Sequence, residues 1–386
     1  MKTPTLLAVL AVLAPAALGQ VPKNAEQAPP YLRWHKVMDG PQRATELRQA
    51  PGDDTRWFVG STREGVYVIK DGQLLAQKFL DLSAVLHPTH GFGGLAFHPD
   101  YETNGRFYVT YQDVNLLRHL VEYTVSGDPD VADAGSAVDI LDPLQAVDKI
   151  HFWNQLHFGT DGMLYAALGD GNTGLNLSQD LGSIQGKILR LDVDSPPDYI
   201  PQDNPFVGVS GAREEIWHWG LRQVWKFCFD PVTQDMYMAD VGRQDNEEID
   251  FAAAGASGLN YGWRCMEGTL CVNGTGCNQV CDDPSWVDPI HEYGHDGRCA
   301  IIGGYVYSGS IQSLVGAYFF NDWCTSRFWT LRYDGASVTE LIERTDEIAQ
   351  IGGRLGRVAT YGVDHAGELY VVNYDNGNIF KLEQTH

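Results

Sequence analysis

The chain has no run of Lys or Arg anywhere, and only 27 basic residues against 50 acidic ones in 386, a formal net charge of −23. Recognition of a nucleic-acid backbone or an anionic membrane surface needs a basic footprint, so both partner classes are disfavoured. Apart from the N-terminus, no stretch approaches the ~18 consecutive apolar residues of a membrane-spanning helix, so a soluble mature protein is expected. Long amphipathic helix patterns are scarce. No pair of cysteines has the spacing of a zinc knuckle with a matching second pair, which argues against a structural zinc site. Global disorder is excluded from the other direction: 44% of the residues are hydrophobic, with 10 Trp, 18 Tyr and 15 Phe to offset ordering entropy by burial.

The N-terminus reads as a signal peptide spanning residues 1–19. Met1-Lys2 gives a short positive start, Leu6 to Leu18 an apolar segment, and Ala17-Leu18-Gly19 the small residues of a cleavage site; a short membrane anchor is the alternative. Export, either secreted or periplasmic, agrees with seven cysteines. Six of them (Cys265, Cys271, Cys277, Cys281, Cys299 and Cys324) cluster late in the chain and read as up to three disulfides, with Cys228 a buried thiol.

A short phrase recurs along residues 20–386: a turn rich in Pro, Asp or Gly, then a strand with an aromatic or apolar pair at its centre. The pairs are Trp57-Phe58, Phe107-Tyr108, Leu164-Tyr165, Met236-Tyr237, Tyr318-Phe319 and Leu369-Tyr370. Intervals of roughly 50 to 80 residues, and a leftover of one such length that joins the two termini, predict a single all-β domain, a six-bladed β-propeller closed by its N-terminal segment. A β-sandwich or a solenoid is the plainer alternative. The two longest intervals predict insertions, about Asp170 to Arg222 and a Cys-rich one about 265–299. Loops on one face of a propeller usually build its site.

Several segments, in order, resemble the glucose/sorbosone dehydrogenase family. They include Gly94-Leu95-Ala96-Phe97-His98-Pro99-Asp100, Phe158-Gly159-Thr160-Asp161-Gly162, Leu168-Gly169-Asp170-Gly171, Gln185-Gly186-Lys187-Ile188, Gly220-Leu221-Arg222, Asp240-Val241-Gly242 with Glu247-Glu248-Ile249-Asp250, Asn260-Tyr261-Gly262-Trp263 and Gly303-Gly304-Tyr305. The Cys-bearing branch is similar to the propeller of hedgehog-interacting proteins, which bind a partner. The resemblance implies a quinoprotein using pyrroloquinoline quinone (PQQ) and calcium to oxidise an aldose, a small-molecule sugar, at C1, with an electron acceptor that stays unknown. It implies His151 as the base for the C1 hydroxyl, Asp170 as its orienting carboxylate, and Arg222 as a fixed cation beside the quinone oxygen. Gln223, Trp153 and Arg354 (with Arg357) fall at cofactor positions, and Glu248 with the backbone carbonyl of Tyr261 at a calcium site.

Departures from the family pattern pull the other way. The family's His-x-Gly-Gly is His151-Phe152-Trp153-Asn154 here, so Trp153 would stack on a ligand or fill its place, and the family's Glu or Gln cofactor contact is lost where Thr89 stands. A non-catalytic propeller binding a protein or glycan partner, and a calcium-dependent hydrolase such as a lactonase with carboxylates on a central metal, are the two other readings. His291-Glu292-Tyr293-Gly294-His295 matches the letters of a zinc-protease motif, but that motif needs a helix and the flanking Pro289, Gly294 and Gly297 oppose one. Asn176-Leu177-Ser178 and Asn273-Gly274-Thr275 match the N-glycosylation sequon.

Overall fold

The computed structural model describes residues 31–146, 148–272, 277, 281, 283–349 and 355–385. The expected signal peptide, Arg354 and the sequon at Asn273 lie outside them.

Six antiparallel sheets form the blades of a propeller. The innermost strands are Ala44–Arg48, Phe92–Phe97, Trp153–Phe158, Val224–Phe229, Ile301–Val306 and Val358–Val363. Each packs against the next, and the last packs back onto the first, which closes the ring around an axis. All six aromatic or apolar pairs of the repeat fall on the second strand of a blade. Consecutive residues there are both buried because a blade is covered on both faces by its neighbours, so the strict in–out alternation of a one-sided sheet is lost.

Closure uses the chain's beginning. Tyr31–Asp39 pairs antiparallel with Asn378–Thr385 as the outer strand of the sixth blade. Leu32 and Trp34 on it are buried in the apolar cluster between the fifth and sixth blades. Burying a leucine fully contributes about 2 kcal/mol, so the closing strand is held by side chains as well as by its ladder. Close approach of blades also needs glycine: a Cβ at Gly93 would lie 2.4 Å from the carbonyl oxygen of Trp153 on the next blade.

The two expected insertions lie in the third and fourth blades. The first fills the connections around Lys187–Leu191. The second separates Asn246–Ala252 from His291–Gly294, and Cys265–Cys277 and Cys271–Cys281 staple it. Cys299–Cys324 joins the entry of the fifth blade to a turn of the same blade, and Cys228 is a buried free thiol. The zinc-protease letters sit on the strand His291–Gly294, not on a helix. No helix among the described residues is long and apolar enough to cross a membrane.

Candidate active site

The innermost strands begin on one end of the axis, and there a cavity of about 370 Å³ opens. Its wall includes Thr45, Thr89, His151, Phe152, Gln223, Trp225, Trp323 and Tyr374, so every blade takes part or borders it. Concave, mostly apolar sites with a few convergent polar groups are where small ligands bind.

His151 is held there by an irregular backbone. Its φ is 53°, a left-handed conformation that a non-glycine residue adopts at a cost of about 1 kcal/mol. The buried Arg118 fixes the loop leading to it, donating to the carbonyls of Asp148 (3.1 Å) and Ile150 (3.0 Å), while Gln112 donates to Lys149 (3.2 Å). The imidazole meets Asp170, which follows the second strand of the third blade, with Nδ1 2.5 Å from Oδ1. The other carboxylate oxygen accepts from the indole Nε1 of Trp263 at 2.9 Å. Nδ1 is therefore committed, and Nε2 is the ring nitrogen left for a ligand. Burial lowers the imidazole pKa; the Asp170 hydrogen bond raises it, the Arg222 and Arg118 charges lower it, and the net shift is downward. His151 is thus neutral and able to accept a proton at neutral pH. Burial raises the Asp170 carboxyl, but its bonds from His151, Asn172 and Trp263 win and hold it below the usual range.

Arg222 lies alongside. Its Nη1 donates to the carbonyls of Val241 (2.5 Å) and Gly242 (2.6 Å), and its guanidinium sits 5.5 Å over the Trp263 ring. Its Nε is buried without a partner among the described residues, as is Oε1 of Gln223. Gln223 lines the cavity and donates from Nε2 to Asn154 Oδ1 at 2.9 Å.

The position of Trp153 corrects an expectation. Its ring is buried in the core between the second and third blades and does not line the cavity; Phe152 does. Trp153 therefore neither stacks on a ligand in this cavity nor fills it. The physical reason is strand alternation: adjacent side chains at the start of the inner strand point to opposite sides.

Behind the wall lies an acidic cluster. Glu248 and Asp250 stand two apart on one strand and so share a face, and Asp240 pairs directly with Glu248 across the ladder. One carboxylate oxygen from each lies within 4.8 Å of those of the other two, and all three residues are buried. Among the described residues, neither oxygen of Asp250 has a hydrogen-bond partner. Asp240 accepts from the backbone amide of Arg222 at 2.7 Å, which ties the cluster to the cavity wall. Burial and mutual repulsion push Glu248 and Asp250 well above the carboxylate range, and burial raises Asp240 to about 7. Three buried carboxylates with so few donors are the environment that a hard divalent cation satisfies, and the donor set suits calcium. Tyr261 is buried against this group, its hydroxyl donating to the carbonyl of Phe251 at 2.9 Å.

Sequence reasoning pointed to Glu248 but missed Asp240 and Asp250 as its partners; the two-residue spacing of Glu248 and Asp250 on a strand was the available signal. It also missed Trp263, Arg118 and Gln112, whose roles arise only from the fold. The cluster lies inside the fourth blade, and none of its three residues lines the axial cavity. It does not supply the central metal that the hydrolase reading requires.

A family model for glucose/sorbosone dehydrogenases matches residues 44–381. The chain belongs to this family. Among curated proteins it is 31% identical to the HIPL2 protein of Arabidopsis thaliana, over 62% of this chain and 43% of that one. It is 26% identical to the human Hedgehog-interacting protein, over 86% and 50%. With the aldose sugar dehydrogenase YliI of Escherichia coli it shares 32% identity, over 45% and 47%. The chain thus spans about half the length of these relatives. Among solved structures, the PQQ-bound aldose sugar dehydrogenase of Streptomyces coelicolor superposes with a TM-score of 0.72 at 20% identity, covering 92% of this chain and 98% of that one. At that identity the likeness establishes the propeller fold.

Proposed function

We propose that this family member is an exported oxidoreductase that oxidises an aldose at C1, with PQQ in the axial cavity and calcium in the Asp240–Glu248–Asp250 cluster. The observation that carries the reading is the His151–Asp170 pair, which leaves His151 Nε2 as the one uncommitted base of a buried dyad on the wall of a ligand-sized cavity. The aromatic side chains of that wall suit a flat conjugated ring. PQQ, when bound, supplies a two-electron acceptor for the hydride leaving the sugar carbon.

The chain's own residues account for the proton. His151 Nε2 accepts the proton of the C1 hydroxyl as the carbon is oxidised to the lactone level. Asp170 keeps the Nδ1–H tautomer in place and stabilises the imidazolium that forms. Arg222, anchored by two carbonyls, is a fixed cation near the dyad for developing negative charge. Gln223 and Thr89 offer polar contacts on the wall. Asp240, Glu248 and Asp250 would hold the calcium ion, which would offset most of their negative charge, and Asp240 ties that site to the backbone amides of Arg222 and Gln223.

A second reading, a non-catalytic propeller that binds a protein or glycan, is favoured by one specific observation. Among the described residues that line the cavity, none is a Lys or Arg that would pair with the three carboxylates of PQQ. Titration of the purified protein with PQQ and calcium, read by visible absorbance and Trp fluorescence, separates the two. Saturable binding near one per chain, followed by dye reduction with an aldose, supports the enzyme. A folded protein that binds no PQQ sinks it and leaves the binding propeller.

A further inference from the structure

The other end of the axis holds a second cavity, of about 360 Å³. It lies where the innermost strands finish: Arg48, Phe229, Val306 and Val363 are the last residues of four of them, and His157 is next to last on a fifth. A buried polar network separates the two cavities. Lys226 donates to the carbonyl of Thr45, which lines the first, and to Glu46; Glu46 in turn accepts from Arg48, which lines the second.

We propose that this second cavity is a binding site for a small organic carboxylate with an apolar body. The inference does not rest on the dehydrogenase reading. Four observations converge on it. First, among the described residues the wall contains Arg48 but no Asp or Glu, in a chain with 50 acidic residues. Second, Arg48 uses three of its five N–H groups, on Glu46 (3.2 Å), the hydroxyl of Tyr305 (2.6 Å) and the carbonyl of Leu156 (3.0 Å), and two remain. Third, the Tyr305 hydroxyl accepts from Arg48, and from Gln155 at 3.4 Å, so its own hydrogen remains to be donated. Fourth, the network carries two basic side chains, Lys226 and Arg48, against one carboxylate, Glu46. An entering anion would balance that excess away from bulk water, where a charge-assisted bond to a guanidinium is strongest. Phe158, Phe229 and Val363 supply the apolar remainder of the wall. Of the two histidines on the wall, His157 has its pKa pushed down to about 4 by burial and its Nδ1 2.8 Å from the Phe158 carbonyl, and His365 is already bonded to Asp54 at 2.5 Å, so Arg48 is the recognising group.

Isothermal titration with benzoate tests this, with benzyl alcohol as the uncharged isostere. Saturable binding of one benzoate per chain is expected, at least tenfold tighter than benzyl alcohol. Tyr305→Phe, which keeps the ring and removes only the hydroxyl, should weaken benzoate at least fivefold, and Arg48→Met at least tenfold, with His151→Ala unchanged. Circular dichroism establishes that each variant is folded, and Tyr305→Phe remains informative if Arg48→Met is not. The proposal is overturned by absent saturation, by equal affinity for benzyl alcohol, by a Tyr305→Phe protein that binds normally, or by a loss confined to His151→Ala, which would put the anion in the other cavity.

Discussion

Lys226 and Glu46 meet across the axis of the ring, Nζ 2.5 Å from Oε1, although they belong to the fourth and first blades, which face each other. Both side chains are almost completely buried. The pair is a spoke through the middle of the propeller, and it divides the axis into the two cavities.

Removing one end of that spoke should be costly. Glu46→Leu strands a buried ammonium beside Arg48, and a loss of about 3–5 kcal/mol is expected. Adding Lys226→Met removes the stranded charge, so the double variant should recover much of that loss. Urea denaturation of the two single variants and the double one gives the cycle. Additive losses would show that the two groups act independently.

The dyad makes a prediction about pH. His151 must be neutral to accept a proton, and its pKa lies below the ordinary imidazole value because of burial. Turnover should therefore hold through neutral pH and fall only as pH drops through that lowered pKa. Asp170→Asn removes the carboxylate that raises it, so the acid limb should move to still lower pH while the plateau rate drops by about 10²-fold or more. A pH profile of kcat/KM for both proteins checks the two effects separately. An unmoved limb would mean that another group titrates.

The acidic cluster links calcium to pH. Without a cation, Asp240, Glu248 and Asp250 have folded pKa values above their unfolded ones. The folded state then binds more protons than the unfolded one above about pH 4, and stability falls as pH rises through the raised values. Chelated protein should be less stable at pH 8 than at pH 5 through this cluster, and the rise in Tm on adding calcium should be larger at pH 8. Asp250→Asn should shrink that calcium-dependent rise. Thermal melts with EGTA and with calcium, at the two pH values, provide the measurement.

The Cys299–Cys324 bridge braces the cavity wall. Cys299 precedes Ala300 and Cys324 follows Trp323, both of which line the cavity, and the Trp323 amide donates to the Ala300 carbonyl at 2.9 Å. Replacing both cysteines with alanine releases a loop of 25 residues, which corresponds to about 3 kcal/mol of chain entropy. Lower stability in urea is expected, together with weaker ligand binding in the axial cavity. Unchanged ligand affinity in a folded variant would separate the bridge from the wall.

The amino-acid sequence by itself determined the propeller. Six turn-and-strand phrases, each with an apolar pair, can bury both faces of a strand only if sheets stack on sheets, and the leftover length at the termini required closure by the N-terminal strand. It also pointed to disulfides among the six clustered cysteines, while the pairing came only from the structure. The family resemblance singled out His151, Asp170, Arg222 and Glu248 as candidates. The tertiary structure alone decided their surroundings. Asp240 joins Glu248 through strand register, and Trp263 reaches Asp170 from another blade, 93 residues away in the chain. Trp153 turns into the core while Phe152 faces the cavity, an outcome set by which side of one strand meets the axis. The spoke of Lys226 and Glu46 joins residues 180 apart that no local pattern connects. Sequence patterns report what each segment must bury, whereas contacts across the axis depend on how six separately patterned sheets are arranged around it.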